Sequence, residues 1–244
     1  MARFVLIHGA FSGAWIWGPL AERLEAAGHE VEAPDLPGMG DDDTPVAEVT
    51  LGRYAEAVCE VLDRSEESSI LVANSMGGMV MTEAAARRPD KVARIIYVAA
   101  FMPADGQSLV ALTELPEGAG DLVQETVQVS GEPPVGTLPE STLRELNREC
   151  DPEMLEWAIE KAGEQPVVPF TEPVSLNEDF ERIPRSYVIC TKDRAIPPPL
   201  QRRMVKERNV TDVVELDTDH HPHLSRTEEL AKLLDERARE AVVA

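Results

Sequence analysis

Ala73-Asn74-Ser75-Met76-Gly77 sets a lone serine between small residues, where the apolar run Ile70 to Ala73 gives way to helical spacing. A serine at so sharp a strand-to-helix turn adopts a strained backbone that exposes its hydroxyl, and small neighbours avoid the steric clash. The next backbone N–H, that of Met76, then lies at a helix N-terminus, where it can stabilise an oxyanion. A plain helix N-cap would place a serine here too. The two readings part on whether a base and an orienting carboxylate exist. Asp193, in CTKDRAIPP, and His220, in DTDHHPHLS, each sit just beyond a short apolar run. Nucleophile, acid and base in that chain order are one of the arrangements that carry out acyl transfer.

Other chemistries find less support. His220, His221 and His223 have spacing that could suggest a metal, but no further Cys or His accompanies them and Pro222 argues against a helix. No metal is expected. The stretch His8 to Gly13 ends an apolar run in small residues, so a backbone N–H there can point at a substrate carbonyl. It lacks the GxGxxG of a dinucleotide site, and no P-loop is present, so no cofactor is expected.

These residues need a scaffold that brings three distant loops to one edge. The segments Phe4 to Ile7, Glu30 to Ala33, Ile70 to Ala73, Val92 to Ala99, Ser186 to Cys190 and Val213 to Leu216 read as strands, Phe4 to Ile7 and Ile70 to Ala73 as apolar runs. Helical spacing falls between them at Trp17 to Ala27, Thr50 to Asp63, Met76 to Arg88 and Leu200 to Arg208. A last helix is expected from Thr227 to Val243, with Ser225 and Glu228 at capping-box spacing before it. Such alternation implies an α/β fold, a mostly parallel sheet covered by helices on both faces, whose C-terminal strand edge gathers functional groups.

The rhythm breaks at 103–182, where LPEGAG, GEPPVG and PVVPF surround short helical pieces at Ser141 to Arg148 and Pro152 to Lys161. This stretch is read as an inserted helical cap on a core made of 1–102 and 183–244. Phe101, Met102, Trp157 and Phe170 are candidate lining groups for a pocket beneath it, though aromatics in helical segments also serve as plain core.

Composition narrows the partners. The net charge of -22 would repel phosphate backbones and anionic lipid, so neither nucleic acid nor a membrane is an expected partner. Only five lysines occur, and an acidic, lysine-poor surface results from adaptation to high salt as well as from ordinary acidic bias. MARFVLIHG enters a strand pattern directly, without the regions of a signal peptide, and no apolar run approaches the roughly 20 residues of a membrane span. A soluble, cytoplasmic chain is expected, with Cys59, Cys150 and Cys190 as reduced thiols.

Taken together, FVLIHGAFSGAWIW, APDLPGMG, LVANSMGGMV, YVAAFMP, YVICTKDRAIPPPLQ and DHHPHLSRTEEL resemble the α/β-hydrolase superfamily. The branch they resemble holds compact bacterial esterases, plant methyl esterases and hydroxynitrile lyases, with arylesterase and pyrethroid-hydrolase-like members closest in pattern. The resemblance implies an α/β-hydrolase fold, with Ser75 as nucleophile, His220 as base, Asp193 as acid and the N–H groups of Ala10 and Met76 as oxyanion hole. It implies a serine carboxylic-ester hydrolase working through an acyl-enzyme on a small to medium hydrophobic ester. Lyases of this branch carry Thr after the strand's His and Lys after the catalytic His, where this chain has Gly9 and His221. A carbon–carbon lyase on the same triad and a non-catalytic ligand-binding protein are the alternatives. Asn74 stands where the family often has His, which bears on substrate preference. Monomer and homodimer are both open.

Overall fold

The computed structural model describes residues 1–243. Its first part alternates β1 (Arg3–Ile7), α1 (Gly18–Ala26), β2 (Glu30–Glu32), α2 (Leu51–Asp63), β3 (Ser69–Ser75), α3 (Gly77–Arg87) and β4 (Val92–Ala100). Next come α4 (Leu109–Thr113), α5 (Leu122–Thr126), β5 (Gln128–Ser130), β6 (Val135–Thr137), α6 (Glu140–Leu146), α7 (Pro152–Lys161), β7 (Gln165–Pro166), α8 (Val168–Thr171) and α9 (Glu178–Glu181). The chain closes with β8 (Arg185–Cys190), α10 (Pro198–Glu207), β9 (Asp212–Leu216), α11 (Pro222–Ser225) and α12 (Thr227–Val243).

The main sheet runs β2-β1-β3-β4-β8-β9 with every pairing parallel. Parallel strands need helical crossovers, and the pleat sends successive side chains to opposite faces. Val5, Ile7, Leu71, Ala73, Ile95 and Tyr97 therefore join α2, α3 and α10 in one buried cluster. Phe4, Leu6, Ile70, Val72, Ile96 and Val98 join α1 and α12 in the other. Strands buried on both faces read as unbroken apolar runs, which is how this sequence writes them. The chain moves outward from β1 to β2 and returns to β3 on the other side of β1. A crevice opens at such a reversal, beyond the strand ends, and the segments that leave β1 and β3 there carry Ala10 and Ser75.

Between β4 and β8 the structure departs from an all-helical expectation. β5, β6 and β7 form a small antiparallel sheet. Strands of two or three residues carry too little periodicity to be seen in sequence. Edge-to-face packing of Trp15 on Trp157, with ring centroids 5.0 Å apart, ties α7 to the core. Ser225 also differs from expectation. It ends α11, and its hydroxyl joins Thr218 at 2.7 Å and Asp219 Oδ1 at 3.1 Å, bracing the loop that carries His220. Among the described residues no helix is long and apolar enough to cross a membrane.

Candidate active site

β3 ends abruptly at a strained residue, Ser75. The pairing with β4 slips between Asn74 and Ser75, and Ser75 takes φ +55°, a left-handed conformation that side chains other than glycine rarely adopt. Close packing makes the glycines around it obligatory. A Cβ at Gly77 would lie 2.6 Å from the carbonyl oxygens of both Ile7 and His8, and one at Gly78 would lie 2.1 Å from that of Phe101. A Cβ at Gly9 would lie 2.8 Å from Ser75 Cβ. Helix α3 thus starts wedged between the ends of β1 and β4, with the serine at its tip.

Two backbone donors flank that tip. Among the described residues, neither the Ala10 nor the Met76 N–H has a protein acceptor. The loop after β1 is held from both sides. His8 Nδ1 lies 2.8 Å from the Gly9 carbonyl, while its Nε2 accepts from the Leu36 N–H at 3.0 Å, which fixes a neutral ring donating through Nδ1. Burial lowers the pKa of His8 and keeps it neutral. On the far side, Gln165 Oε1 accepts from the Phe11 N–H at 3.3 Å, and the Phe11 carbonyl accepts from the Gly163 N–H at 2.9 Å. These bonds fix Phe11 at φ +60° and leave the N–H of Ala10 unclaimed.

Asp193 follows β8 and His220 follows β9, so neighbouring parallel strands deliver them together. His220 Nδ1 donates to Asp193 Oδ2 at 2.9 Å. The remaining valences of the carboxylate are filled: Oδ1 accepts from the N–H groups of Ala195 at 2.7 Å and Ile196 at 3.0 Å, and Oδ2 also accepts from Gln201 Nε2 at 3.0 Å. A buried carboxylate with this many donors is held in one orientation. Burial pulls the His220 pKa down, but the Asp193 charge and bond outweigh it and the result lies above 6.5. With Nδ1 committed, Nε2 is the nitrogen left for Ser75. Ser75 and His220 line one cavity but are not hydrogen-bonded to each other here. In an unliganded site that bond is often long and tightens with substrate.

Asn74 does not face the substrate space. It is buried, and its Nδ2 donates to the carbonyls of Val98 and His220, both at 3.0 Å. It has a structural role, a clamp from β4 to the His220 backbone. Gln201 was not anticipated. Its signal is a lone polar side chain among the buried positions Leu200, Gln201 and Met204 of α10. The three imidazoles of 220, 221 and 223 stack edge to face at 4.8 and 5.3 Å. Among the described residues no group of three or more His, Cys, Asp or Glu side chains is placed to hold a metal ion.

The cavity has two lobes that meet at Ala10, Phe11 and Ser75. The larger, about 210 Å³, is walled by apolar groups including Phe101, Leu109, Val127, Phe170 and Ile196. The smaller, about 50 Å³, is bounded by Trp15, Leu146, Asn147, His220 and His221. Met102 and Trp157 do not line either lobe; Met102 is core and Trp157 packs on Trp15. One acid interrupts the large lobe. Asp121 caps α5 by accepting from Gln124 N–H at 3.0 Å, and burial pushes its carboxyl up to about 6.

Residues 4–233 match the model of the alpha/beta hydrolase family. The chain is 34% identical over 249 residues to methylesterase 7 of Arabidopsis thaliana, covering 97% of this chain and 96% of that one. It is 33% identical over 248 residues to alpha-hydroxynitrile lyase of the same plant, with 93% of each chain covered. Among solved structures, a pyrethroid hydrolase from Sphingobium faniae superposes with a TM-score of 0.89 at 30% identity, covering 98% of this chain and 97% of that chain.

Proposed function

The chain belongs to the alpha/beta hydrolase family, and we propose that it is a serine carboxylic-ester hydrolase in which Ser75, His220 and Asp193 act together through an acyl-enzyme. One observation carries the reading: a strained serine, a histidine paired with a buried carboxylate, and two unclaimed N–H groups all border one cavity.

His220 Nε2 takes the Ser75 proton as Oγ attacks the ester carbonyl, and Asp193 holds the imidazole and balances its charge. The N–H groups of Ala10 and Met76 receive the oxyanion. The proton on Nε2 must next reach the leaving alcohol, so the alcohol has to sit beside His220. Only the small lobe borders that ring. The alcohol is therefore small and the acyl group apolar and larger, filling the lobe under Phe101 and Phe170. This orientation agrees with the methylesterase name of one relative.

Gly9 and His221 argue against lyase chemistry. Lyases of this branch place Thr where this chain has Gly9, and a Cβ there would strike Ser75 Cβ at 2.8 Å. A cytoplasmic location draws support from three cysteines that are all unpaired. The test is a matrix of esters varied separately in acyl and alcohol size. Methyl esters of medium apolar acids should give the highest kcat/KM. Equal turnover of bulky alcohols would reverse the assignment of the lobes.

A further inference from the structure

The small lobe holds a second imidazole whose protonation can be assigned from its neighbours. Asn147 Nδ2 donates to the Leu143 carbonyl at 2.8 Å, so the amide nitrogen is committed and its oxygen turns to His221. That oxygen lies 2.7 Å from His221 Nδ1, and an amide oxygen can only accept. Nδ1 therefore carries the proton. In the neutral ring the lone pair sits on Nε2, which has no partner among the described residues. Burial, with the neighbouring imidazoles of His220 and His223, holds the ring well below 6.5 and so uncharged at neutral pH. The ring stands 4.8 Å from that of His220, centroid to centroid, and borders the same lobe as Ser75.

Once the alcohol has left, this lobe is bordered by two imidazoles whose Nε2 atoms have no partner among the described residues, those of His220 and His221. Water carries two hydrogens and an alcohol hydroxyl only one. We propose that His221 is a positioning residue for the deacylating water, accepting one of its hydrogens while His220 accepts the other; this rests on the acyl-enzyme reading above. Held at both hydrogens, the water turns its lone pair toward the acyl carbon. Its oxygen bonds to that carbon as the transferred proton passes to His220. Collapse then breaks the bond to Ser75 Oγ, which takes the proton back, and the carboxylic acid departs. An alcohol cannot fill both acceptors, so the site favours hydrolysis over acyl transfer to alcohol.

The experiment is acyl-enzyme partition. An activated ester is turned over in water with added methanol, and the ratio of acid to methyl ester is measured for wild type, His221→Phe and His221→Gln. His221→Phe keeps the ring and its stacking but has no acceptor, and should lower the acid-to-ester ratio about tenfold, as expected for the loss of one orienting contact. His221→Gln restores an acceptor oxygen and should recover much of the ratio. In all three, two activated esters of the same acid with different leaving groups should give one ratio, the mark of a shared acyl-enzyme. If His221→Phe is not recovered folded, His221→Leu replaces it. An unchanged ratio would overturn this proposal alone, whereas a wild-type ratio that changes with the leaving group, for one and the same acyl group, would overturn the acyl-enzyme reading and the proposal with it.

Discussion

Asp193 Oδ2 holds two partners at once, His220 Nδ1 at 2.9 Å and Gln201 Nε2 at 3.0 Å. The second bond makes Gln201 part of the geometry of the first. Its Oε1 accepts from the Cys190 N–H at 3.1 Å, and its Nε2 also reaches the Ile196 carbonyl at 2.7 Å, so the amide is locked at both ends. Gln201→Leu, close in volume and without donors, should lower kcat about ten- to hundredfold with little change in KM, since it acts through the acid rather than on substrate. Steady-state kinetics on a fully folded variant would check this. A loss confined to KM would contradict it.

The pH profile follows from the same pair. Asp193 raises the pKa of His220 above 6.5 against the effect of burial. A protonated His220 cannot act as base, so the acidic limb of kcat/KM should have its midpoint above pH 6.5. Stability runs the other way. A raised folded pKa stabilises the fold fully below the unfolded value and loses that contribution as pH rises through the folded value. Lowering the pH toward 5 should therefore silence the enzyme while the pair's contribution to stability is still complete. An acidic limb centred below 6.5 would show that burial dominates.

Asn74 clamps the His220 carbonyl to that of Val98. Asn74→Leu removes both donors at similar volume, leaving the buried His220 carbonyl without its partner at about 1–3 kcal/mol. We expect a lower melting temperature and a kcat reduced about tenfold as His220 drifts from Asp193. Asn74→His, which can supply an N–H, should recover part of both. Wild-type kcat in Asn74→Leu would exclude the clamp from the geometry of catalysis.

Close packing gives a test that involves no catalytic side chain. Gly78→Ala places a methyl 2.1 Å from the Phe101 carbonyl, whereas Gly163 has open space around its Cα. Gly78→Ala should destabilise by about 1–3 kcal/mol or more, and Gly163→Ala should be near neutral. Urea titration of both variants gives the comparison. Equal stabilities would mean that α3 can withdraw from β4.

The sheet was legible because strands buried on both faces are written as uninterrupted apolar runs, and Ile70 to Ala73 is the plainest of them. The serine was legible because its strained turn demands small neighbours, and the glycines at 77 and 78 meet neighbouring backbone for that reason. What stayed hidden depends on partners that only the fold brings together. Gln201 on α10 meets Asp193 in the loop before that helix, Asn74 meets a carbonyl 146 residues away, and Gln165 reaches Phe11 over 154. No local pattern marks such pairs. The small sheet of β5, β6 and β7 was missed for another reason, since strands of two or three residues have no period to detect.

The central claim is that Ser75 is the nucleophile, and ester turnover by Ser75→Ala tests it most directly. Measured on a methyl ester of a medium apolar acid, with folding checked by circular dichroism, the variant should lose at least about a thousandfold in kcat, and a serine-directed phosphonate should label wild type but not the variant. Turnover within tenfold of wild type, or phosphonate labelling of the variant, would contradict it.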